Sequence, residues 1–268
     1  MSISIKTALT IAGTDPSGGA GLHADLKTFA AHGVYGMGAV TAVVSQNTVG
    51  VRALKLCPAR LVQDQIIAVF EDIPPDAVKV GMIGSPALTR TVAQTLKRYS
   101  ASKLVVDPVL VATSGHALSG KGSLKTLVAT LLDRLIPMAV LVTPNVPEGE
   151  ALSGRPIRDR EDMLKAAAII RSRTGCAVLL KGGHIGDTCD DLLLDADGEH
   201  WFEGKRIDTK NTHGTGCTLS AAIASNLANC HSLEASARLA KEYLTGALGA
   251  GLGLGKGSGP VFHGWRGA

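Results

Sequence analysis

Aromatic side chains are scarce in this chain, 3 % of 268 residues, which argues against a surface that stacks on unpaired bases. Basic runs are missing too. Lysines and arginines number 27 against 23 acidic residues, scattered along the sequence, and the net charge is only +4. A nucleic-acid partner therefore has no electrostatic footprint here. Apolar runs such as Ala139 to Val142 fall far below membrane-spanning length. The first thirteen residues carry one lysine, Lys6, and a short apolar stretch, without the longer apolar region and small-residue cleavage site of a secretory signal. Cys57, Cys176, Cys189, Cys217 and Cys230 are odd in number and show no CxxC spacing, so neither a zinc site nor a disulfide framework is indicated. Reduced thiols in a cytoplasmic protein are the expectation.

What the chain does have is apolar material, 45 % of its residues, ample for a core and too much for a disordered chain. Short β-rich runs alternate with longer amphipathic stretches. Ala8–Ala12, Gly38–Val44, Ala77–Val80, Lys103–Val106, Ala139–Thr143 and Ala177–Leu180 read as strands. Gly21–Ala31 (Leu22, Leu26 and Phe29 on one face), Pro58–Glu71, Pro86–Tyr99, Ser123–Arg134 and Arg160–Thr174 read as helices. Such alternation with apolar strands is the signature of a parallel sheet covered on both sides. Asp191–Leu194 and His200–Glu203, joined through Asp195-Ala196-Asp197-Gly198, read as an antiparallel hairpin added to a sheet edge. Two more helices, Gly216–Ala228 and Ser232–Ala247, precede a glycine-rich tail. No linker, repeat or low-complexity block divides the chain before that tail, so residues 1–268 are expected to form one α/β domain.

Ligands of open parallel sheets sit beyond the carboxyl ends of the strands. Five polar or glycine-rich segments follow predicted strands directly: Gly13-Thr14-Asp15, Ser45-Gln46-Asn47, Asp107-Pro108, Thr143-Pro144-Asn145 and Lys181-Gly182-Gly183. Any loop supplies a polar residue after a strand, but five on one rim point to a site.

The most informative segment is Asn211-Thr212-His213-Gly214-Thr215-Gly216-Cys217-Thr218, which leads into an apolar helix. Glycines before a helix let backbone N–H groups converge on an anion, and the helix dipole adds positive potential there. A cysteine in the first turn gains thiolate character from the same field, able to take a proton from a substrate hydroxyl while free amides stabilise a transferring phosphoryl group. A glycine loop that merely caps a helix, with Cys217 as a packed small residue, fits the same pattern. Asn145 and Glu148, three apart at the expected start of a short helix, can hold a hydrated Mg²⁺ beside nucleotide phosphates; an N-cap asparagine with an acidic first turn fits equally. Asp107 at a strand end can serve a cation or accept a proton, and Lys181 can neutralise phosphate charge. Gly18-Gly19-Ala20-Gly21 has Ala24 where a dinucleotide fingerprint wants its third glycine. Gly255-Lys256-Gly257 lacks the first glycine and the Ser/Thr of a P-loop, so a Walker NTPase is not indicated.

Together these segments resemble the hydroxymethylpyrimidine/phosphomethylpyrimidine kinases of thiamine biosynthesis, in the ribokinase superfamily. The resemblance covers nearly the whole chain. It rests on the blocks at 8–21, 24–29, 41–48 (Thr-Ala-Val-Val-Ser-Gln-Asn-Thr), 80–84 (Val-Gly-Met-Ile-Gly), 105–109 (Val-Val-Asp-Pro-Val), 143–148, 180–184, the Cys217 loop and 251–260. It implies a ribokinase-like three-layer αβα sandwich with a mostly parallel central sheet, and ATP with Mg²⁺ as cofactors. It implies a small pyrimidine as substrate and partner, a homodimer, and neither nucleic acid nor membrane. By the same resemblance Gly214, Thr215 and Gly216 form the anion hole and Cys217 is catalytic, standing where most ribokinase relatives carry an aspartate base. Gln46 reads the pyrimidine's amino group and ring nitrogen, since an amide both donates and accepts. Gly13, Asp25, Met82 and Val109 complete the pocket wall, and Asp107, Asn145, Glu148 and Lys181 form the Mg-ATP side, with Asn145 and Glu148 reaching the metal through water. Thr113 and His116 depart from the lysine and aspartate of some members, and Gly149 stands where alanine is usual, which implies a looser turn. A pyridoxal kinase, or a non-catalytic ligand-binding protein on the same fold, are the rival readings.

Overall fold

The computed structural model describes residues 5–110, 121–183, 185 and 189–267, without the side chains of 121–123. Thr113, His116 and the His184 of the 180–184 block lie outside the described residues.

The strands are β1 (Thr7–Ala12), β2 (Tyr35–Val40), β3 (Ala42–Asn47), β4 (Gly50–Leu56), β5 (Ala77–Val80), β6 (Leu104–Val106), β7 (Leu141–Val142), β8 (Ala177–Lys181), β9 (Asp191–Leu194) and β10 (Glu199–Phe202). The helices are α1 (Gly21–Ala31), α2 (Ala59–Asp72), α3 (Pro86–Arg98), α4 (Lys121–Thr130), α5 (Val146–Ser153), α6 (Arg160–Thr174), α7 (Thr215–Ala228) and α8 (Leu233–Gly249). Eight strands form one sheet in the order β10-β9-β8-β7-β6-β5-β1-β2. From β2 to β8 every pair is parallel, and the expected hairpin β9–β10 continues the sheet antiparallel beyond β8.

Alternation along the strands creates the layers. Leu9, Ile11, Val78, Val80, Leu104, Val106, Val142, Val178 and Leu180 face one core, filled by α2, α3, the Leu127–Leu135 stretch and α6. Their neighbours Ala8, Ala77, Val105, Leu141, Ala177 and Leu179 face a second core, filled by Phe29 of α1 and by α7 and α8. Ser85, Asp159 and Ser232 cap α3, α6 and α8 with side-chain oxygens. Among the described residues no helix is long and apolar enough to cross a membrane.

Three local expectations are revised. The run read as one strand, Gly38–Val44, breaks at Thr41, because the Thr41 hydroxyl bonds Met82 O (2.6 Å) and its N–H bonds Ala12 O (3.0 Å). The chain thereby leaves the main sheet and begins a separate two-stranded hairpin, β3–β4. Ser45-Gln46-Asn47 consequently lies on a strand of that hairpin rather than in a loop after one. The predicted helix Ser123–Arg134 closes in a π turn at Leu131–Leu135 and a 3₁₀ turn at Ile136–Met138, which shortens the following strand to Leu141–Val142.

Candidate active site

The carboxyl ends of β1, β5, β6, β7 and β8 share one rim, and four of the five polar segments gather there. After β1 the loop 13–20 folds around Asp15, a fully buried carboxylate. Its Oδ1 accepts from Ser17 N–H (2.9 Å) and Ser17 Oγ–H (2.7 Å), and its Oδ2 from Gly19 N–H (3.2 Å) and Ala20 N–H (2.7 Å). His213, just before α7, adds Nε2 at 2.8 Å to the same Oδ2. Burial alone would raise the Asp15 pKa, but the bonds from His213 and Ser17 outweigh it and hold the group at about 2.

Gly214 caps α7 in the left-handed region, φ +79°, where a side chain is disfavoured. A Cβ there would lie 1.8 Å from Gly19 O, so the two loops touch backbone to backbone. The first intrahelical bond of α7 runs from Thr218 N–H to Gly214 O (2.8 Å), and no side chain caps the amides before it. These are the groups a helix N-terminus offers an anion. At Gly216 a Cβ would lie 3.2 Å from Lys181 Nζ; the bare glycine leaves the ammonium and the amides facing the same space.

Lys181 is tied to Asp107 (Nζ to Oδ1, 3.0 Å). Asp107 also accepts from Thr143 Oγ–H (3.1 Å) and Ser220 Oγ–H (3.3 Å). Burial disfavours both charges, yet each partner keeps the other ionised: Lys181 lies above the ordinary lysine range and Asp107 below the ordinary carboxylate range. Asn145 and Glu148 form a reciprocal capping box at the start of α5, Asn145 Oδ1 accepting from Glu148 N–H and Glu148 Oε2 from Asn145 N–H, both at 2.9 Å. The capping reading of this spacing is thus realised, and the asparagine oxygen is engaged. Glu148 is pushed to about 7 by burial and by the neighbouring Asp107 charge, against the pull of Lys181. Gly149 does not loosen this turn. It is buried, its N–H bonds Asn145 O at 2.7 Å, and a Cβ there would lie 2.8 Å from Leu180 Cδ1.

Cys217 is half-buried in the first turn of α7, within electrostatic reach of Lys79, Asp25 and Asp107. The helix field was expected to favour a thiolate. Instead burial pushes the thiol up to about 11, with Lys79 pulling the other way, because desolvation of a thiolate outweighs the field of the helix N-terminus. Lys79 was not singled out from the sequence. It is fully buried on β5 and holds both oxygens of Asp25 at 3.0 and 2.8 Å, with Thr10 Oγ–H donating to Oδ2 at 2.5 Å. Burial would strip its proton, but the Asp25 carboxylate, with Cys217 and Asp107 nearby, keeps it charged. Asp25 therefore stands behind the pocket wall, bonded to Lys79 and Thr10, with no exposed surface. A charged residue inside the strand run Ala-Val-Lys-Val was the available signal.

Gly13 opens the acceptor side: a Cβ there would strike Met82 Cε (2.5 Å) and approach Val44 Cγ2 (3.6 Å). Ala42, Val44 and Gln46 share one face of β3, with Val43, Ser45 and Asn47 outward. Gln46 is half-buried on the face that meets Gly13, as are Met82 and Val109 on their rim loops. The structure thus packs Met82 and Val44 against Gly13, and sets Asp107 and Lys181 beside Gly216 with Asn145 and Glu148 next to Lys181, while Gln46 and Val109 are half-buried on β3 and after β6. Asp15, His213, Lys79 and Ser220 are the linking residues that spacing alone did not reveal. Among the described residues no group of three or more His, Cys, Asp or Glu is arranged to hold a metal ion.

The sequence matches the family described as phosphomethylpyrimidine kinase over residues 15–262. A Streptomyces coelicolor protein named hydroxymethylpyrimidine/phosphomethylpyrimidine kinase is 44 % identical over 257 residues, covering 96 % of this chain and 94 % of that one. A Geobacter sulfurreducens protein named thiamine biosynthesis bifunctional protein ThiED is 46 % identical over 259 residues, covering 96 % of this chain and 52 % of that longer protein. Bacillus subtilis pyridoxal kinase, solved as an ADP complex, superposes with a TM-score of 0.88 at 32 % identity, over 98 % of this chain and 99 % of that one. The sandwich is thus the ribokinase-like fold, and with so much of its length matched the chain belongs to the phosphomethylpyrimidine kinase family.

Proposed function

We propose that this chain transfers the γ-phosphate of ATP to 4-amino-5-hydroxymethyl-2-methylpyrimidine, and then phosphorylates the monophosphate to the pyrophosphate, as a kinase of thiamine biosynthesis. One observation carries the site assignment: the first turn of α7, which bears Cys217 and has no side-chain cap, meets the Lys181 ammonium at a position kept bare by Gly216. Phosphoryl transfer is mostly positioning and charge neutralisation, and these are the groups that supply both. Gln46 and Met82 orient the pyrimidine with Gly13 and Val109 as walls, and Asp25 braces that wall through Lys79. Lys181, steadied by Asp107, neutralises the ATP phosphates, the amides of residues 214–217 receive the developing charge, and the Cys217 sulfur in its thiolate form takes the alcohol proton.

Mg²⁺ fits the far side of the site, where Glu148 is a buried carboxylate whose charge Lys181 does not fully offset. Glu148 and Asn145 would hold the cation through water, and it would supply charge neutralisation beside the phosphates. With few protein carboxylates at hand, most of its ligands would come from water and nucleotide. The α/β sandwich acting as one domain, a homodimer and a cytoplasmic location complete the proposal and rest on the family resemblance.

The test is an ATP-coupled assay with the hydroxymethylpyrimidine and its monophosphate, with product identification, on the parent and on Cys217→Ala. The variant is expected to lose about 100-fold or more in kcat while keeping its fold and nucleotide affinity; full activity would remove Cys217 from the mechanism. The likeness to a pyridoxal kinase favours a second reading, with a hydroxymethylpyridine as acceptor. Gln46→Ala separates the two, because losing the amide should harm the pyrimidine reaction more than the pyridine one.

A further inference from the structure

His213 stands at the junction of three segments. Its backbone N–H bonds Gly259 O (3.0 Å) and it bridges Pro260, so the C-terminal glycine-rich segment holds it from one side. On the other side lies the 13–20 loop: a Cβ on Gly19 would come within 2.6 Å of His213 Cδ2. Between them the imidazole reaches Asp15, 198 positions away in sequence. A carboxylate only accepts, so Nε2 carries the proton in this bond. Asp15 spends its other four bonds on its own loop, at Ser17, Gly19 and Ala20. The bond from His213 therefore ties that loop to the chain entering α7. Directly after His213 comes Gly214, whose left-handed backbone sets the direction of the helix start. The same pair of loops is thus fastened at the entry to the Gly214–Gly216 turn by the His213–Asp15 bond and the Gly19–Gly214 backbone contact.

From this arrangement we infer that His213 is a positioning residue of the transfer: its Nε2–H bond to Asp15 holds the anion-hole amides in register with the loop that shapes the acceptor pocket. The inference rests on the kinase reading above. Its consequence is specific. Losing the bond lets the turn drift relative to the acceptor, so the bound substrates are aligned less well for in-line transfer. Misplacement by about 1 Å costs on the order of 100-fold in rate, and it falls on kcat rather than on acceptor affinity.

The experiment compares His213→Gln with His213→Asn, both uncharged amides. Glutamine places its nitrogen near the position of Nε2 and can still donate to Asp15, whereas asparagine stops near Nδ1 and falls short. His213→Gln is expected within about fivefold of the parent kcat, and His213→Asn about 10–100-fold below it, with the KM of the pyrimidine changed by less than about threefold. Asp15→Asn, which removes the accepting charge, is expected to lower kcat similarly and to erase the difference between the two His213 variants, as coupled residues do. Equal kcat for the Gln and Asn variants, or losses confined to KM, would overturn the inference. If His213→Asn fails to fold, the Asp15→Asn comparison decides: a glutamine variant as active with Asp15 replaced as with it present overturns it. Should Cys217→Ala prove fully active, the base assignment falls, while the Gln–Asn contrast still reports on the loop junction.

Discussion

Cys217 illustrates two opposed local effects. Its place in the first turn of α7 favours the thiolate, while burial favours the thiol and prevails, to about 11. At neutral pH only a small fraction is ionised, and that fraction grows tenfold per pH unit. The kcat/KM for the pyrimidine, which reports groups of the free enzyme, is therefore expected to climb about tenfold per unit between roughly pH 6 and 9. Cys217→Asp supplies a carboxylate ionised throughout that range, so its profile should be nearly flat. A flat profile in the parent, measured with saturating nucleotide, would show that the sulfur does not take the proton. The candidate itself was legible from the Gly-Thr-Gly-Cys pattern, but its ionisation was not, because it depends on burial by distant segments and on the charges of Lys79, Asp25 and Asp107 arriving from them.

Elements position these residues through contacts that tolerate little change. The α7 start abuts the loop after β1 so closely that Gly214 has no room for a side chain. Gly214→Ala is expected to destabilise by about 3 kcal/mol or more, adding a backbone clash to the cost of a left-handed alanine, and to abolish turnover. Gly33→Ala is the control. Its φ is similar, +68°, but nothing lies within 4 Å of a Cβ there, so denaturant titration should find a loss of only about 1 kcal/mol. Comparable losses at both positions would mean that the loops can part. Most elements here were readable from periodicity, and the short helix after Asn145 followed from its capping pattern. The hairpin β3–β4 was not separable, because its first strand continues the apolar pattern of β2 and only the Thr41 bonds to Met82 and Ala12 divide them.

Across the molecule, Glu148, His263 and Asp15 stand out among the buried groups that shape stability against pH. Glu148, with a folded pKa of about 7 against an ordinary 4.5, favours the fold when protonated, so its contribution is complete below pH 4.5 and lost as pH rises through 7. His263, buried beside Thr218 and lowered to about 4 from 6.5 by burial and then by Lys27, favours the fold when neutral, and its contribution is lost as pH falls through 4. Each is worth about 3 kcal/mol, and they act in opposite directions over nearly the same window. Melting of the ligand-free protein should therefore change little between pH 7 and 4.5, fall with acid in Glu148→Gln, and rise with acid in His263→Gln. Below pH 4 the Asp15 carboxylate, held at about 2, loses its contribution of about 2 kcal/mol as it protonates, and the parent should then destabilise steeply. Variants that both follow the parent would remove these groups from the balance.

Period-two alternation set the two-faced sheet, and the order of the blocks set the family, because both depend on neighbours along the chain. Glycines at 214 and 216 were likewise written into the segment that uses them. Packing alone decided that Asp15 meets His213, that Lys79 meets Asp25 and that Lys181 meets Asp107, pairs 198, 54 and 74 positions apart. It also decided that a cysteine at a helix start stays a thiol, since the energy of a buried charge is fixed by everything around it and no short window of sequence contains that surrounding.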